Sequence, residues 1–211
     1  MIMTQNINVK VSLTLKVRLE QALKEAGVED AALVRKLTID GMFMNNTDFE
    51  FIRQYMSDTL QEVELGANIK FGYVCLIGYT FDFCNALNNI IVHQDNPDLA
   101  GENGVLFNKK KTKLICYPKG RKGDGEGYVI PNSVVIVGIN AFYGCSLTSI
   151  CIPASVLKIH VDNFMNCTTY ITVHSDNPVY ESIDGKLKMR ENINMEEVAK
   201  LGIVLKRKDT G

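Results

Sequence analysis

From residue 7 to residue 15 the chain alternates apolar and polar side chains, Ile-Asn-Val-Lys-Val-Ser-Leu-Thr-Leu, and a period of two predicts a strand. The period then changes. Leu19, Ala22, Leu23 and Ala26 fall at helical spacing within residues 17–27, and Gly27 is a fitting stop. Residues 34–39 read as a second strand. A second helix is expected through about Met56, capped by Thr47 or Asp48, with Phe49, Ile52 and Tyr55 or Met56 as its buried stripe. Residues 60–65, Leu-Gln-Glu-Val-Glu-Leu, alternate again and predict a third strand. Strand, helix and strand with short connections form a right-handed crossover.

Beyond residue 66 the pattern becomes a repeat. Val-Ile-Pro-Asn-Ser-Val and Asn-Ala-Phe-Tyr-Gly-Cys, ending at Cys145, return as Cys-Ile-Pro-Ala-Ser-Val and Asp-Asn-Phe-Met-Asn-Cys, ending at Cys167. Ile130 recurs as Ile152, Phe142 as Phe164 and Cys145 as Cys167, each 22 residues on. A fixed period of that length predicts stacked coils, each burying its apolar face against the next. Residues 79–84, with Phe81 and Cys84, read as a decayed copy of the Phe-Tyr-Gly-Cys element. Phe81, Cys84, Ile130, Phe142, Cys145, Ile152, Phe164 and Cys167 are therefore the expected repeat core.

A second phrase repeats at longer range. A strand over residues 87–92 runs into His93-Gln94-Asp95-Asn96-Pro97, and a strand over 170–173 runs into His174-Ser175-Asp176-Asn177-Pro178. Asn103-Gly104 and Asp184-Gly185 follow, and both dipeptides signal tight turns. A hairpin is expected to leave the coil after each phrase. The first continues through a turn at 109–112 into residues 113–118, then a loop over 119–127 with four glycines. Beyond Met189 the repeat lapses. Asn194 to Glu197 can cap a short helix through Leu201, and Ile203 to Leu205 can add an edge strand.

Composition narrows the function classes. Of 211 residues, 46% are apolar and 22% charged, as in an ordinary globular domain. The formal net charge of -1 argues against a nucleic-acid partner, whose binding needs a basic footprint. No apolar run approaches the roughly 18 residues of a spanning helix, so membrane insertion is not expected. The first residues carry no basic and apolar leader, which leaves either a cytoplasmic location or a targeting segment that has been removed.

Candidate chemistry is sparse. There are six cysteines and no Cys-x-x-Cys; a buried thiol ladder explains Cys145 and Cys167, although equivalent positions in adjacent coils lie within disulfide reach. His93 and His174 read as residues leaving a strand beside a turn, with Asp95 and Asp176 capping backbone amides. Neither a metal site, a calcium loop nor a phosphate loop is expected, and no cofactor. Lys109, Lys110, Lys111, Lys113, Lys119, Arg121 and Lys122 form the one local charge bias. They suit either a solvated hairpin tip or a patch for an acidic partner or sulfated glycan.

The phrases Ile-Pro-Asn-Ser-Val, Asn-Ala-Phe-Tyr-Gly-Cys, Leu-Thr-Ser-Ile-Cys-Ile-Pro, Asp-Asn-Pro, Glu-Asn-Gly-Val-Leu-Phe-Asn-Lys and Leu-Ile-Cys-Tyr-Pro-Lys-Gly together resemble the BspA-type leucine-rich repeat family over about residues 60–188. Leu37 to Gly41 and Asp48 to Arg53 are similar to the leader of some bacterial members. The resemblance implies an α/β, right-handed leucine-rich-repeat solenoid with no catalytic residues. Members are generally secreted or surface proteins of host-associated bacteria, implicated in adhesion. The expected architecture is an N-terminal strand–helix–strand cap over 1–65, a solenoid with hairpin insertions over 66–188 and a closure over 189–211. The expected function is a non-enzymatic protein-binding or adhesion module, with a host matrix or cell-surface protein as partner. An intracellular scaffold is the alternative, and a cysteine hydrolase the third reading.

Overall fold

The computed structural model describes residues 6–71, 81–121, 127–159, 161–194 and 196. In chain order the elements are β1 (Ile7–Leu13), α1 (Leu19–Glu25), β2 (Val34–Gly41), β3 (Phe43–Met44), α2 (Asn46–Tyr55), β4 (Glu62–Leu65), β5 (Lys70–Phe71), β6 (Asn89–Val92), β7 (Leu99–Glu102), β8 (Val105–Asn108), β9 (Lys113–Cys116), β10 (Tyr128–Val129), β11 (Ile136–Val137), β12 (Ser149–Ile152), β13 (Lys158–Ile159), β14 (Tyr170–Val173), β15 (Tyr180–Ile183) and β16 (Lys186–Met189). The protein is mixed α/β, with many short strands and few helices. Lys122, part of the glycine-rich loop, Tyr79, Thr80, Cys75, and the tail helix and strand expected beyond Asn194 lie outside the described residues, except for Glu196.

Two parallel sheets carry the repeat. Strands β1, β2, β4 and β6 pair in chain order, and β10, β12 and β14 do the same further along. In register, Val9, Leu37, Val63 and Ile90 stand side by side, with Val11, Ile39 and Leu65 in the next row. These rows point inward, because β strands present alternate residues to one face. The other side of the stack holds β3 against β5, and β9, β11 and β13 in parallel.

The local devices explain the elements. Helix α1 ends at Glu25, one residue before the last position of its apolar spacing, and Ala26 is exposed. Gly27 takes φ +77°, its amide donates to the Lys24 carbonyl and that of Val28 to Leu23, the paired bonds of a Schellman stop. Helix α2 is capped by Asn45, not by Thr47 or Asp48. The Asn45 side chain accepts from the amides of Thr47 and Asp48, and Asp48 accepts from the Asn45 amide, a complete capping box. Phe49, Ile52 and Met56 form its buried stripe, while Tyr55 is exposed.

The hairpin β7–β8 and strand β9 form a wall through the interior. Leu106, Ile115 and Cys116 belong to one buried cluster with Leu37, Val63, Phe49 and Phe81. Val105, Phe107, Leu114 and Tyr117 belong to a second, with Ile130, Phe142, Ile150 and Ile152. An apolar run without alternation is what a strand covered on both faces requires. The chain thus builds one core, lays the wall across it, and builds the next core on the far side.

Candidate protein-binding face and the groups around it

The side chains between the buried rows point out of the parallel sheets. On the first sheet one outward row is Asn8, Lys36, Glu62 and Asn89, and the next is Lys10, Thr38, Glu64 and Ile91. The rows are knit by charge. Lys36 lies 2.7 Å from Glu62 and 3.6 Å from Glu64, and Lys10 lies 2.8 Å from Asp40. The Asn89 amide nitrogen donates to Glu62 at 2.7 Å and the Thr38 hydroxyl to Glu64 at 3.3 Å. The hydrogen bond to Lys36 holds the Glu62 carboxyl below its ordinary range and raises the lysine in return. On the second sheet the rows change character. Val129, Cys151 and Thr172 stand in one row, with Ser149 beside Tyr170. Val129 is 69% exposed and Tyr170 57%. The face therefore passes from a self-paired charged ladder to open apolar and aromatic groups. Neither row was singled out in the sequence, since outward residues show only as the polar half of an alternation.

The basic residues do not form one cluster. Lys109, Lys110 and Lys111 sit at the β8–β9 turn, where Lys109 donates to the Gln94 carbonyl at 2.7 Å and Lys111 pairs with Glu102 at 3.1 Å. Lys119 and Arg121 follow the other end of β9, which at ~3.3 Å per residue sets them roughly 10 Å or more away. Lys113 is on β9 itself, and burial lowers its ammonium below the ordinary value, with Lys158 adding repulsion.

Three Phe-x-x-Cys elements share one turn. The amides of Cys84, Cys145 and Cys167 donate to the carbonyls of Phe81, Phe142 and Phe164 at 3.0, 3.2 and 3.2 Å. Phe81, Cys84, Ile130, Phe142 and Ile152 are fully buried, and Cys145 nearly so. Phe164 and Cys167, in the last coil described, are only half-buried. They border a cavity of about 790 Å³ with Ile159, Tyr170, Leu187 and Met189. Burial pushes the Cys84 thiol up to about 12, so it is a protonated core group and a poor nucleophile.

The two Asp-Asn-Pro phrases are built alike, but by other atoms than expected. Asp95 and Asp176 are exposed and do not cap the turn; the histidine ring does part of that work, its Nδ1 accepting from the amide of Asp95 or Asp176 at 3.2 Å. The buried connectors are Asn96 and Asn177. Each side-chain oxygen accepts two backbone amides, and each side-chain nitrogen donates to two carbonyls of the preceding coil. The hairpins then turn at Asn103-Gly104 and Asp184-Gly185, all four residues at positive φ between 48° and 74°. Glycine suits the second position of such a turn. Both glycine carbonyls meet the parallel sheet, accepting from the amides of Ile90 and Ile171.

Residues 126–194 match the BspA type leucine rich repeat region in six copies. This segment is similar to that family. The matched residues run from β10 to β16 and supply the greater part of the second core. The chain is also similar to three solved structures, each at 16% identity. They are the pneumococcal vaccine antigen PcpA (TM-score 0.39; 64% of this chain, 47% of that one), a leucine-rich repeat protein from Eubacterium ventriosum (0.32; 77% and 66%) and a leucine rich cell surface protein from Faecalibacterium prausnitzii (0.35; 74% and 52%). The chain spans less than two thirds of the length of each. No curated protein matches it. Among the described residues no helix is long and apolar enough to cross a membrane. In the BspA-type segment, a fixed 22-residue step keeps like residues stacked, so each outward position becomes a row that a partner can contact along its length.

Proposed function

We propose that this protein is a non-enzymatic protein-binding module of the adhesion type, contacting a host or bacterial surface protein through the outward rows of its parallel sheets. The observation that carries the reading is the change of character along that face. The first sheet satisfies its charges internally, whereas Val129 and Tyr170 stand open on the two outer strands of the second, β10 and β14. Amphipathic aromatics at such positions supply contact area at small entropy loss and are enriched at protein interfaces. The BspA-type repeats around them support the same reading, since repeats of this kind serve as protein-interaction modules. The architecture we propose with it is a right-handed solenoid over residues 66–188, capped by 1–65 and closed by 189–211.

The test is capture of partners from arrayed host matrix and bacterial surface proteins. The full chain is expected to retain at least one protein, and Val129→Ser with Tyr170→Ser to lose it at unchanged melting temperature. Capture that survives both substitutions overturns the sheet face as the contact. Replacing Lys110, Lys111 and Arg121 by Ser separates out the basic groups: loss of capture in that variant alone assigns the contact to the hairpin and loop instead.

A further inference from the structure

The thiols of Cys145 and Cys167 are 3.3 Å apart. They occupy one position in successive coils, and the rings of Phe142 and Phe164 beside them stack at 5.7 Å with 21° between planes. The two coils are therefore in register where the thiols meet. Adjacent strands lie ~4.8 Å apart, inside the Cα separation that a disulfide spans. An approach of roughly 1 Å between the sulfurs would reach bonding distance.

The pair is also asymmetric. Cys145 is 3% exposed. Cys167 is half-buried and forms part of the wall of the 790 Å³ cavity, so a small reagent reaches it first. As a thiol, Cys167 donates to the Phe142 carbonyl at 2.8 Å. As a thiolate it is stabilised chiefly by hydrogen bonding from Cys145, then by the amides of Cys145 and Gly144 and the charge of Lys119, which together outweigh burial and hold it below the ordinary thiol value. Cys145 is driven the other way, first by the same contact and then by burial. The Lys119 side chain lies against Gly144, next to the pair.

We propose that Cys145 and Cys167 form an oxidation site, at which a peroxide converts Cys167 to a sulfenic acid and Cys145 then closes an inter-coil disulfide. In the first step the Cys167 thiolate attacks one peroxide oxygen, the O–O bond breaks and hydroxide leaves. In the second, the Cys145 sulfur attacks the sulfenic sulfur, the S–O bond breaks and the departing hydroxide takes the Cys145 proton to leave as water. Two thiols have lost two electrons and the peroxide has gained them. The product ties neighbouring coils across a 22-residue loop and joins the half-exposed last coil to the buried one before it.

The test is treatment of the full, folded chain with hydrogen peroxide, followed by thiol counting under denaturing conditions and mapping of linked peptides. The chain is expected to fall from six titratable thiols to four, with one linked pair, Cys145 to Cys167. Cys145→Ser is expected to stop at the sulfenic acid, which a dimedone probe labels at residue 167. Cys167→Ser is expected to keep Cys145 unreacted, and Cys84 is expected to stay a thiol throughout. Retention of all six thiols, a link to another cysteine, or equal dimedone labelling of the parent and the Cys145→Ser variant overturns the proposal.

Discussion

Asn96 and Asn177 hold equivalent places in different coils and make the same four hydrogen bonds. Asn96 donates to the carbonyls of Gly66 and Ile69 and accepts from the amides of Asp98 and Leu99. Asn177 donates to Pro153 and Val156 and accepts from Val179 and Tyr180. Each joins the coil before it to the hairpin after it. Replacing either with Ala strands two carbonyls and two amides in the interior. At ~1–3 kcal/mol per orphaned group, with partial relaxation, a loss of about 3 kcal/mol is expected for Asn177→Ala. Urea unfolding of Asn96→Ala and Asn177→Ala would show it, and a loss below the size of one hydrogen bond would contradict the bridging role.

The repeated phenylalanines are not equivalent in energy. Phe142 is fully buried against Tyr117 and Phe164, whereas Phe164 borders the cavity in the last described coil. Phe142→Ala is expected to cost about 3–5 kcal/mol. Phe164→Ala is expected to cost clearly less, because its site is already partly open. Equal shifts in thermal melts of the two variants would mean that the last coil is as closed as its neighbour.

Asp48 serves two helices at once. It completes the capping box of α2, accepts from the Leu19 amide at the start of α1 at 2.9 Å, and pairs with Arg18, whose guanidinium lies 5.1 Å from the Phe43 ring centroid. Removing one member of a buried pair leaves the other uncompensated, at about 3–5 kcal/mol. Asp48→Ala is expected in that range and Asp48→Asn to be milder, since the amide oxygen can still accept. Chemical denaturation of the two variants measures the difference.

Asp82 makes stability depend on pH. Its side chain is buried, one oxygen has no hydrogen-bond partner among the described residues, and the other accepts from Asn140 at 3.1 Å. Burial raises its pKa above 3.8, against weaker opposing effects of its own amide, Asn140 and Arg53. A carboxyl raised in the folded state is a better proton binder there than when unfolded. Its contribution is complete below pH 3.8 and is lost as pH rises through the folded value. Asp82→Asn is therefore expected to be more stable than the parent at pH 7 and equal to it near pH 3. A constant gap between the two denaturation curves across that range would remove the assignment.

The sequence alone determined the rungs of this protein. Period-two alternation located β1, β2 and β4. The recurrence of Ile130, Phe142 and Cys145 as Ile152, Phe164 and Cys167 located the coils, and Asn-Gly and Asp-Gly located both hairpin turns. These signals are local or strictly periodic, so pattern suffices to read them. The asymmetries were decided by tertiary structure. Val105-Leu106-Phe107 carries no alternation, and only the fold shows that it divides two cores. Asn96 and Asn177, not their aspartate neighbours, became buried connectors, because only an amide both donates and accepts and carries no charge to desolvate. The basic residues were parted by β9, which lies between them in sequence and holds them apart in space. Phe164 and Cys167 repeat the chemistry of Phe142 and Cys145 and differ in burial. A repeat specifies what each coil contains, and its position in the stack specifies which of those groups meet solvent.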